Sequence, residues 1–439
     1  MNHLCVGCGV CASVCPHRRI QIDFLSTEGI YVPSTGLDCC EIACGLCERV
    51  CMFAPNNSVT ADLTRELFAS LKNIQHDEIL GYYLETYAGY SERHRLTSAS
   101  GGILTWLLET LLGKGEIKGV ICVGPDSTSP TLFDFRVCQT KEEIRACASS
   151  CYQPVEISRA LQKILAYEGP YAIVALPCLA RGLRLAMQEI PKLQSRIRYI
   201  FGLVCGQMKS RHFVDYLGAK YAGRGNPSSI FFRQKRLDRP ASDFAFRFVW
   251  PDNLSIKVGW SEGVARPWGE RWFTLEGCDY CDDVFAECAD AAFMDAWLPE
   301  YMSDPRGHNL FIIREPALLD IFESAGSTGE LFLDRVPPEK IRRSQIGVIR
   351  QKRILSGFNS QHGSGLKRMP NIRSVARKWR LDQQLEACTK RKIRSITQFG
   401  IPSDANSLIF RINRISMPLN ILKKLFRVGE KIRRTLKRI

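Results

Sequence analysis

The chain has no run of eighteen or more apolar residues, so no segment of it is expected to span a bilayer as a helix. Its opening, Met-Asn-His-Leu, lacks the positively charged stretch and apolar core of a secretory signal, and the expected location is the reducing cytoplasm. Histidine is scarce. His212, His308 and His362 are candidates for proton chemistry by side-chain type alone, and none is given a role. Acidic residues are nearly missing from the last hundred positions, where 26 Lys and Arg face 4 Asp and Glu. The net charge of +15 therefore belongs to the tail, and residues 1–339 sum to −7. No nucleic-acid reading motif accompanies the basic runs, which alone provide only salt-sensitive, nonspecific attraction.

Cysteine is what the chain has in excess. Nine of its 19 cysteines lie in the first 51 residues, as Cys5-x2-Cys8-x2-Cys11-x3-Cys15-Pro16 and Cys40-x3-Cys44-x2-Cys47-x3-Cys51. The first run has the bacterial ferredoxin spacing, in which three close thiolates hold one cubane and the fourth crosses to a second. By that exchange Cys5, Cys8, Cys11 and Cys51 would hold one 4Fe-4S cluster, and Cys40, Cys44, Cys47 and Cys15 the other. The second run departs from the pattern: one residue too many separates Cys40 from Cys44, Cys39 competes as a ligand, and Met52 stands where a proline is usual. A disulfide framework needs an oxidising compartment, and a zinc ribbon would use two separated cysteine pairs. Neither fits these spacings as well as a cubane does.

At 439 residues and 45 % hydrophobic content the chain exceeds one ordinary domain and can bury a sizeable core. It reads as a mixed α+β and α/β protein in four parts. Residues 1–60 form a two-cluster ferredoxin-like module with short strands at Arg19-Ile-Gln-Ile-Asp-Phe and Gly29-Ile-Tyr-Val. Residues 61–85 form a linking helix, on the spacing of Leu63, Leu67, Leu71 and Ile74. Residues 86–335 form an α/β domain. Strands at Gly119-Val-Ile-Cys-Val, Tyr171-Ala-Ile-Val-Ala-Leu and Tyr199-Ile-Phe-Gly-Leu-Val alternate there with helices over 101–112, 155–167 and 211–221, and Thr140 with Glu143 makes a capping box. Residues 336–439 are the basic, partly helical extension.

Three features of the α/β part carry chemistry. Leu96-Thr-Ser-Ala-Ser-Gly-Gly102 opens into a helix, so its amides and the hydroxyls of Ser98 and Ser100 can meet a phosphate; the plainer reading is a serine N-cap. Cys178, Cys205, Cys278 and Cys281 lie near strand ends and would suffice for a third cluster, or are ordinary buried small hydrophobes. Ala146-Cys-Ala-Ser-Ser-Cys-Tyr-Gln-Pro154 could line a flat cofactor, or be a loop in which Tyr152 simply packs.

The succession Ser-Ala-Ser-Gly-Gly, Ser-Ser-Cys-Tyr-Gln-Pro, Leu176-Pro-Cys-Leu-Ala-Arg-Gly-Leu-Arg184, Gly202-Leu-Val-Cys-Gly, Cys278-Asp-Tyr-Cys-Asp-Asp and Ala289-Asp-Ala-Ala-Phe-Met-Asp-Ala-Trp297 resembles the coenzyme F-420 hydrogenase/dehydrogenase beta-subunit family over roughly residues 86–330. The resemblance implies FAD and a third 4Fe-4S cluster held by Cys178, Cys205, Cys278 and Cys281. It places Ser98, Ser100, Gly101, Gly102 and Thr105 against the flavin nucleotide, and Ser149, Ser150, Tyr152 and Gln153 beside the isoalloxazine. Cys151 replaces the family's lysine there, Met294 replaces a usual glycine, and Asp295 and Trp297 keep its Asp-x-Trp. The implied function is an iron-sulfur flavoprotein oxidoreductase passing electrons between a ferredoxin or other redox protein and a small-molecule or deazaflavin substrate. The alternative is an electron-transfer subunit that docks to a partner enzyme.

The family core leaves the tail unexplained. Ile421, Leu425, Val428, Ile432, Leu436 and Ile439 fall at helical spacing opposite Lys and Arg. Such a basic amphipathic helix can lie peripherally on an anionic membrane surface, dock on an acidic protein, or pack its stripe on the protein's own body.

Overall fold

The computed structural model describes residues 4–35, 44–54, 57, 60–352, 355, 381–398 and 405–436, with side chains placed for 385–398 and 406–421 in the last two segments. The first strands, β1 (Ile20–Leu25) and β2 (Ile30–Thr35), form an antiparallel hairpin in which Leu25 faces Ile30. Short helices Val10–Val14 and Leu46–Arg49 flank it. Cys40 and its neighbour Cys39 lie outside the described residues.

The expected linking helix is shorter than its spacing suggests. It covers Thr60–Phe68, and the chain then forms a small hairpin of β3 (Gln75–Asp77) and β4 (Gly81–Tyr83). Asn73 takes a left-handed φ of 62°, and Asp77 Oδ1 accepts the N–H groups of Ile79 and Leu80 at 2.8 and 3.1 Å. That turn drives Leu80 fully into the core, a burial that a helix continued through Ile74 would not provide.

The next strands are β5 (Glu85–Tyr90), β6 (Gly119–Pro125), β7 (Phe133–Cys138), β8 (Tyr171–Ala175) and β9 (Ile197–Leu203). Then come β10 (Ser229–Gln234), β11 (Ala245–Val249), β12 (Ser255–Gly259), β13 (Ala291–Asp295), β14 (Asn309–Ile313) and β15 (Phe332–Arg335). Eight of these make one sheet in the order β15-β5-β14-β13-β9-β8-β6-β7. Its centre, β13-β9-β8-β6, is parallel, and the strands on both sides are antiparallel. Both faces are covered. Ile121, Ile173, Ile200 and Ile312 point into one apolar cluster, while Val120, Ala172, Phe201 and Phe311 point into the other, as the two-residue period of a strand requires. The helices Ile103–Gly113, Ser158–Ala166 and His212–Ala222 stand within a few residues of the sequence expectation, and the Thr140–Glu143 capping box forms.

A second, antiparallel sheet, β10-β11-β12, was not legible beforehand. Its core is aromatic, with Phe213, Phe232, Phe246 and Trp272 buried together, and Ile393, Leu408 and Ile412 of the tail helices Leu381–Thr397 and Ala405–Leu436 pack into the same cluster. The described front half of the final helix thus packs on the protein's own body, although Phe410, Met417 and Ile421 stay exposed. The side chains beyond Ile421 that completed the expected amphipathic stripe lie outside the described residues. No described helix is long and apolar enough to cross a membrane.

Candidate metal centres and nucleotide cleft

The N-terminal turn draws Cys5, Cys8, Cys11 and Cys51 together. Burial, then the neighbouring thiols of Cys11, Cys5 and Cys51, pushes the Cys8 thiol well above its ordinary range. Cys11 is pushed up to about 12 by burial and by Cys5 and Cys51. Thiols crowded in this way stay protonated unless a cation replaces the protons. Gly7 lets the chain pass closely: a Cβ there would fall 2.3 Å from Tyr31 O, and φ is +67°. Of the second expected set, Cys47 neighbours both Cys44 and Cys11, while Cys15 ends the first helix and its sulfur accepts the Arg19 N–H at 3.4 Å.

A second quartet assembles from three distant segments. Cys178 lies in the first turn of the helix Pro177–Glu189 directly after β8, Cys205 follows β9, and Cys278 lies in the 3-10 turn Glu276–Asp279 with Cys281 just beyond. Two of these segments leave the carboxyl ends of parallel strands, where α/β sheets build their sites. Burial, followed by Cys281, Cys205, Cys8 and Cys278, raises the Cys178 thiol well above its usual range, and Cys205 rises to about 12. The Met208 N–H donates to Cys278 Sγ at 3.2 Å and Lys352 Nζ to Cys281 Sγ at 3.1 Å.

The two quartets touch. Cys178 feels Cys8, and Cys51 and Cys178 pack against one apolar cluster of Leu4, Met52 and Phe53 together with Tyr280. A Cβ at Gly277 would lie 2.3 Å from Leu4 O, so the cysteine-bearing turn is pressed directly onto the N-terminal module.

The basic tail is built into this site, which the sequence did not reveal. Lys352 reaches Cys281. Arg394 Nε donates to Asp279 Oδ2 at 3.0 Å and its Nη2 to Glu276 Oε1 at 3.1 Å, while Thr397 Oγ1 accepts the Phe273 N–H at 2.9 Å. Arg271, almost fully buried, holds Asp279 from the other side, Nη2 to Oδ1 at 2.8 Å. Charged residues of the basic extension are partly braces for the Glu276–Asp279 turn. A single cue, the cation excess itself, pointed to acidic partners but not to where they lie.

The Ser-Ala-Ser-Gly-Gly turn adopts a conformation different from a serine cap. The N-cap of Ile103–Gly113 is Gly102, at φ +78°, and the Ile103 N–H is taken by Asn309 Oδ1 of β14 at 3.2 Å. Ser100 Oγ donates to His308 O at 2.6 Å, and Ser98 Oγ and Thr105 Oγ1 lie 3.0 Å apart. Gly101 must lack a side chain, because a Cβ would fall 2.7 Å from both Asn309 N and Gly89 O.

This turn edges a shallow cleft lined also by Arg233, Lys235, Asp295, Trp297 and His308. Arg233 donates to both Asp295 oxygens at 2.7 and 2.6 Å and lies over the Phe244 ring at 4.0 Å. Lys235 Nζ donates to Ser100 O at 2.6 Å and to the carbonyls of Arg95 and Arg306; burial, then the Arg233 charge, lowers its pKa to about 7. Tyr152 is half-buried against Phe232, Phe246 and Trp268, and its hydroxyl reaches Arg233. Arg233 thereby joins the Ser149–Gln153 segment to the cleft. Ser149 Oγ donates to Phe232 O at 3.2 Å, Ser150 bonds Tyr152, and Cys151 is pushed up to about 12 by burial. Gln153 is 1 % exposed with both amide atoms unpartnered, as a group awaiting a ligand would be.

Residues 86–162 match the N-terminal model of the family described as coenzyme F420 hydrogenase/dehydrogenase, beta subunit, and residues 169–339 match the C-terminal model of the same family, together more than half of the chain. The chain belongs to this family. Membership makes this F420 hydrogenase/dehydrogenase beta-type chain a redox protein, and its cysteine quartets are in keeping with iron-sulfur binding. A chain from the structure of the F420-reducing NiFe hydrogenase complex of Methanosarcina barkeri, studied under xenon derivatization, superposes with a TM-score of 0.51 at 18 % identity. The match covers 67 % of this chain and 99 % of that one, which establishes the shared α/β fold of the beta-type region. No curated protein matches the sequence.

Proposed function

We propose that the chain is an iron-sulfur flavoprotein oxidoreductase, passing electrons between a one-electron carrier such as ferredoxin and a two-electron substrate or deazaflavin coenzyme at FAD. The observation that carries this reading is the shared apolar shell of Cys51 and Cys178, which sets two thiol quartets side by side. In this reading residues 1–60 are the ferredoxin-type domain, 61–85 the linker, 86–335 the flavin and cluster domain, and 336–439 an extension that braces the Cys278 turn. A flavin supplies two-electron chemistry and clusters supply single-electron steps, so the pair converts one into the other.

The cleft residues fit a flavin nucleotide in kind. Lys235 and Arg233 supply positive charge at the cleft, and the unpaired Gln153 amide can bond a ring edge. Anaerobic purification with iron, sulfide and flavin counted on one sample tests the whole reading. About twelve irons and one FAD per chain support it, whereas about eight irons with no flavin overturn it.

Two outcomes follow from single side chains. Lys235 is cationic below about pH 7 and loses its charge as pH rises through that value. Flavin nucleotide affinity is therefore expected to fall across that window in the native chain and to be flat in Lys235→Met, measured by equilibrium dialysis. Lys352→Met removes a charged donor from Cys281 Sγ, so the cluster held there should become harder to reduce, by on the order of 60 mV, in a spectroelectrochemical titration. An unchanged potential would detach Lys352 from the cluster.

A further inference from the structure

Three cysteines that neither quartet uses meet at the edge of the main sheet. The register of β6 and β7 sets Val120 opposite Cys138 and Cys122 opposite Arg136, so Cys122 and Cys138 are diagonal neighbours. The Thr140 capping box starts a helix right after β7, and that helix, Lys141–Ala146, ends on Cys147, returning a third sulfur to the same place. Cys122 Sγ lies 3.7 Å from Cys138 Sγ, which lies 3.9 Å from Cys147 Sγ, and all three sulfurs fall within 4.8 Å of one another.

These separations are those of ligands around one small ion. With Zn–S near ~2.3 Å, sulfurs stand about 3.8 Å apart in a tetrahedral site and about 4.0 Å apart in a trigonal one. Thiolates on a cubane bind separate irons and stand wider apart. Two further observations point the same way. Gly124, next on the same side of β6, has no Cβ to fill the space: one would fall 2.6 Å from Cys147 Sγ and 3.5 Å from Arg136 Nε. Three thiolates with a divalent ion carry one net negative charge, and the Arg136 guanidinium borders the same space to oppose it.

We propose that Cys122, Cys138 and Cys147 form a three-thiolate site for one thiophilic closed-shell cation, represented by Zn2+. Cys122 and Cys138 are buried and Cys147 is half-exposed, so a water entering from the Cys147 side completes the coordination. Binding forms three Zn–S bonds and releases the thiol protons to solvent, with no change in oxidation state.

The test uses the anaerobic holoprotein, incubated with Zn2+, passed through a desalting column with a weak chelator, and assayed for zinc and iron together. The native chain and a Cys388→Ser control should keep one zinc. Cys147→Ser should lose it, and Gly124→Ala, which retains every thiol but crowds Cys147 Sγ, should bind it about 10- to 100-fold more weakly, both with iron unchanged. Zinc-edge X-ray absorption on the native chain should read three sulfurs at about 2.3 Å. No zinc retained by the native chain, zinc undiminished in both variants, or a disulfide among the three cysteines of the anaerobic protein would each overturn the assignment.

Discussion

A chain carrying Cys178→Ala together with Cys278→Ala will hold about eight irons where the native chain holds about twelve, with flavin content unchanged. Both thiols belong to the quartet assembled from the ends of β8 and β9 and the Glu276–Asp279 turn, so the double change leaves Cys205 and Cys281 alone to hold a cubane. The cleft draws on other residues, Ser100, Arg233, Lys235 and Asp295, and should keep its nucleotide. The N-terminal set of Cys5, Cys8, Cys11 and Cys51 keeps all its sulfurs, although Cys8 loses its neighbour Cys178. Iron and acid-labile sulfide should fall in step, and the low-temperature spectrum of the reduced protein should lose one cluster signal. An iron count that stays at the native value would remove the third cluster from the reading. Loss of all iron would show instead that the Cys178 helix is needed for the N-terminal module to form.

Arg314→Leu is expected to destabilise the fold by about 4 kcal/mol, the largest single effect predicted for a residue outside the thiol quartets and the cleft. Arg314 is fully buried, and its three nitrogens donate to five carbonyls: Tyr82 at 2.8 Å, Ala286 at 3.2 Å, Ala289 at 3.1 Å, and Leu80 and Phe285 both at 3.2 Å. Leucine would leave those oxygens in the core without donors, and each would bear its own desolvation cost. The carbonyls belong to the β3–β4 hairpin and to the segment after Cys281, so the same change should loosen Cys281 and speed iron loss. A denaturant titration that shows a shift below about 1 kcal/mol would mean that water replaces the guanidinium.

The exposed strip of Phe410, Met417 and Ile421 lies along one side of a helix whose opposite side packs into the aromatic core. The tail is therefore not wholly self-packed, and the strip is a surface that the second reading of function, an electron-transfer subunit docked to a partner enzyme, would cover. Turnover of a small molecule by the isolated chain with an artificial donor separates the two readings.

What the sequence determined by itself is what near neighbours along the chain decide. Cys5, Cys8 and Cys11 are close in space because two-residue spacings leave a tight turn no alternative, and Thr140 and Glu143 cap a helix because both partners lie within one turn. The alternation that divides Ile121, Ile173 and Ile200 from Val120, Ala172 and Phe201 was legible for the same reason, and with it the α/β class. The family's spaced motifs then marked Cys178, Cys205, Cys278 and Cys281 as a set, which local spacing left undecided. Only the tertiary structure could decide what depends on register and packing between distant segments. Arg233 lies on a strand of a sheet the sequence did not announce, yet its guanidinium links Asp295, Ala99 and Tyr152. Asn309 caps a helix that begins 206 residues before it. Lys352 and Arg394 belong to the basic extension yet contact Cys281 and Asp279, because a buried carboxylate and a crowded thiol are stabilised by whichever cation the fold brings within reach, however far away it stands in the chain.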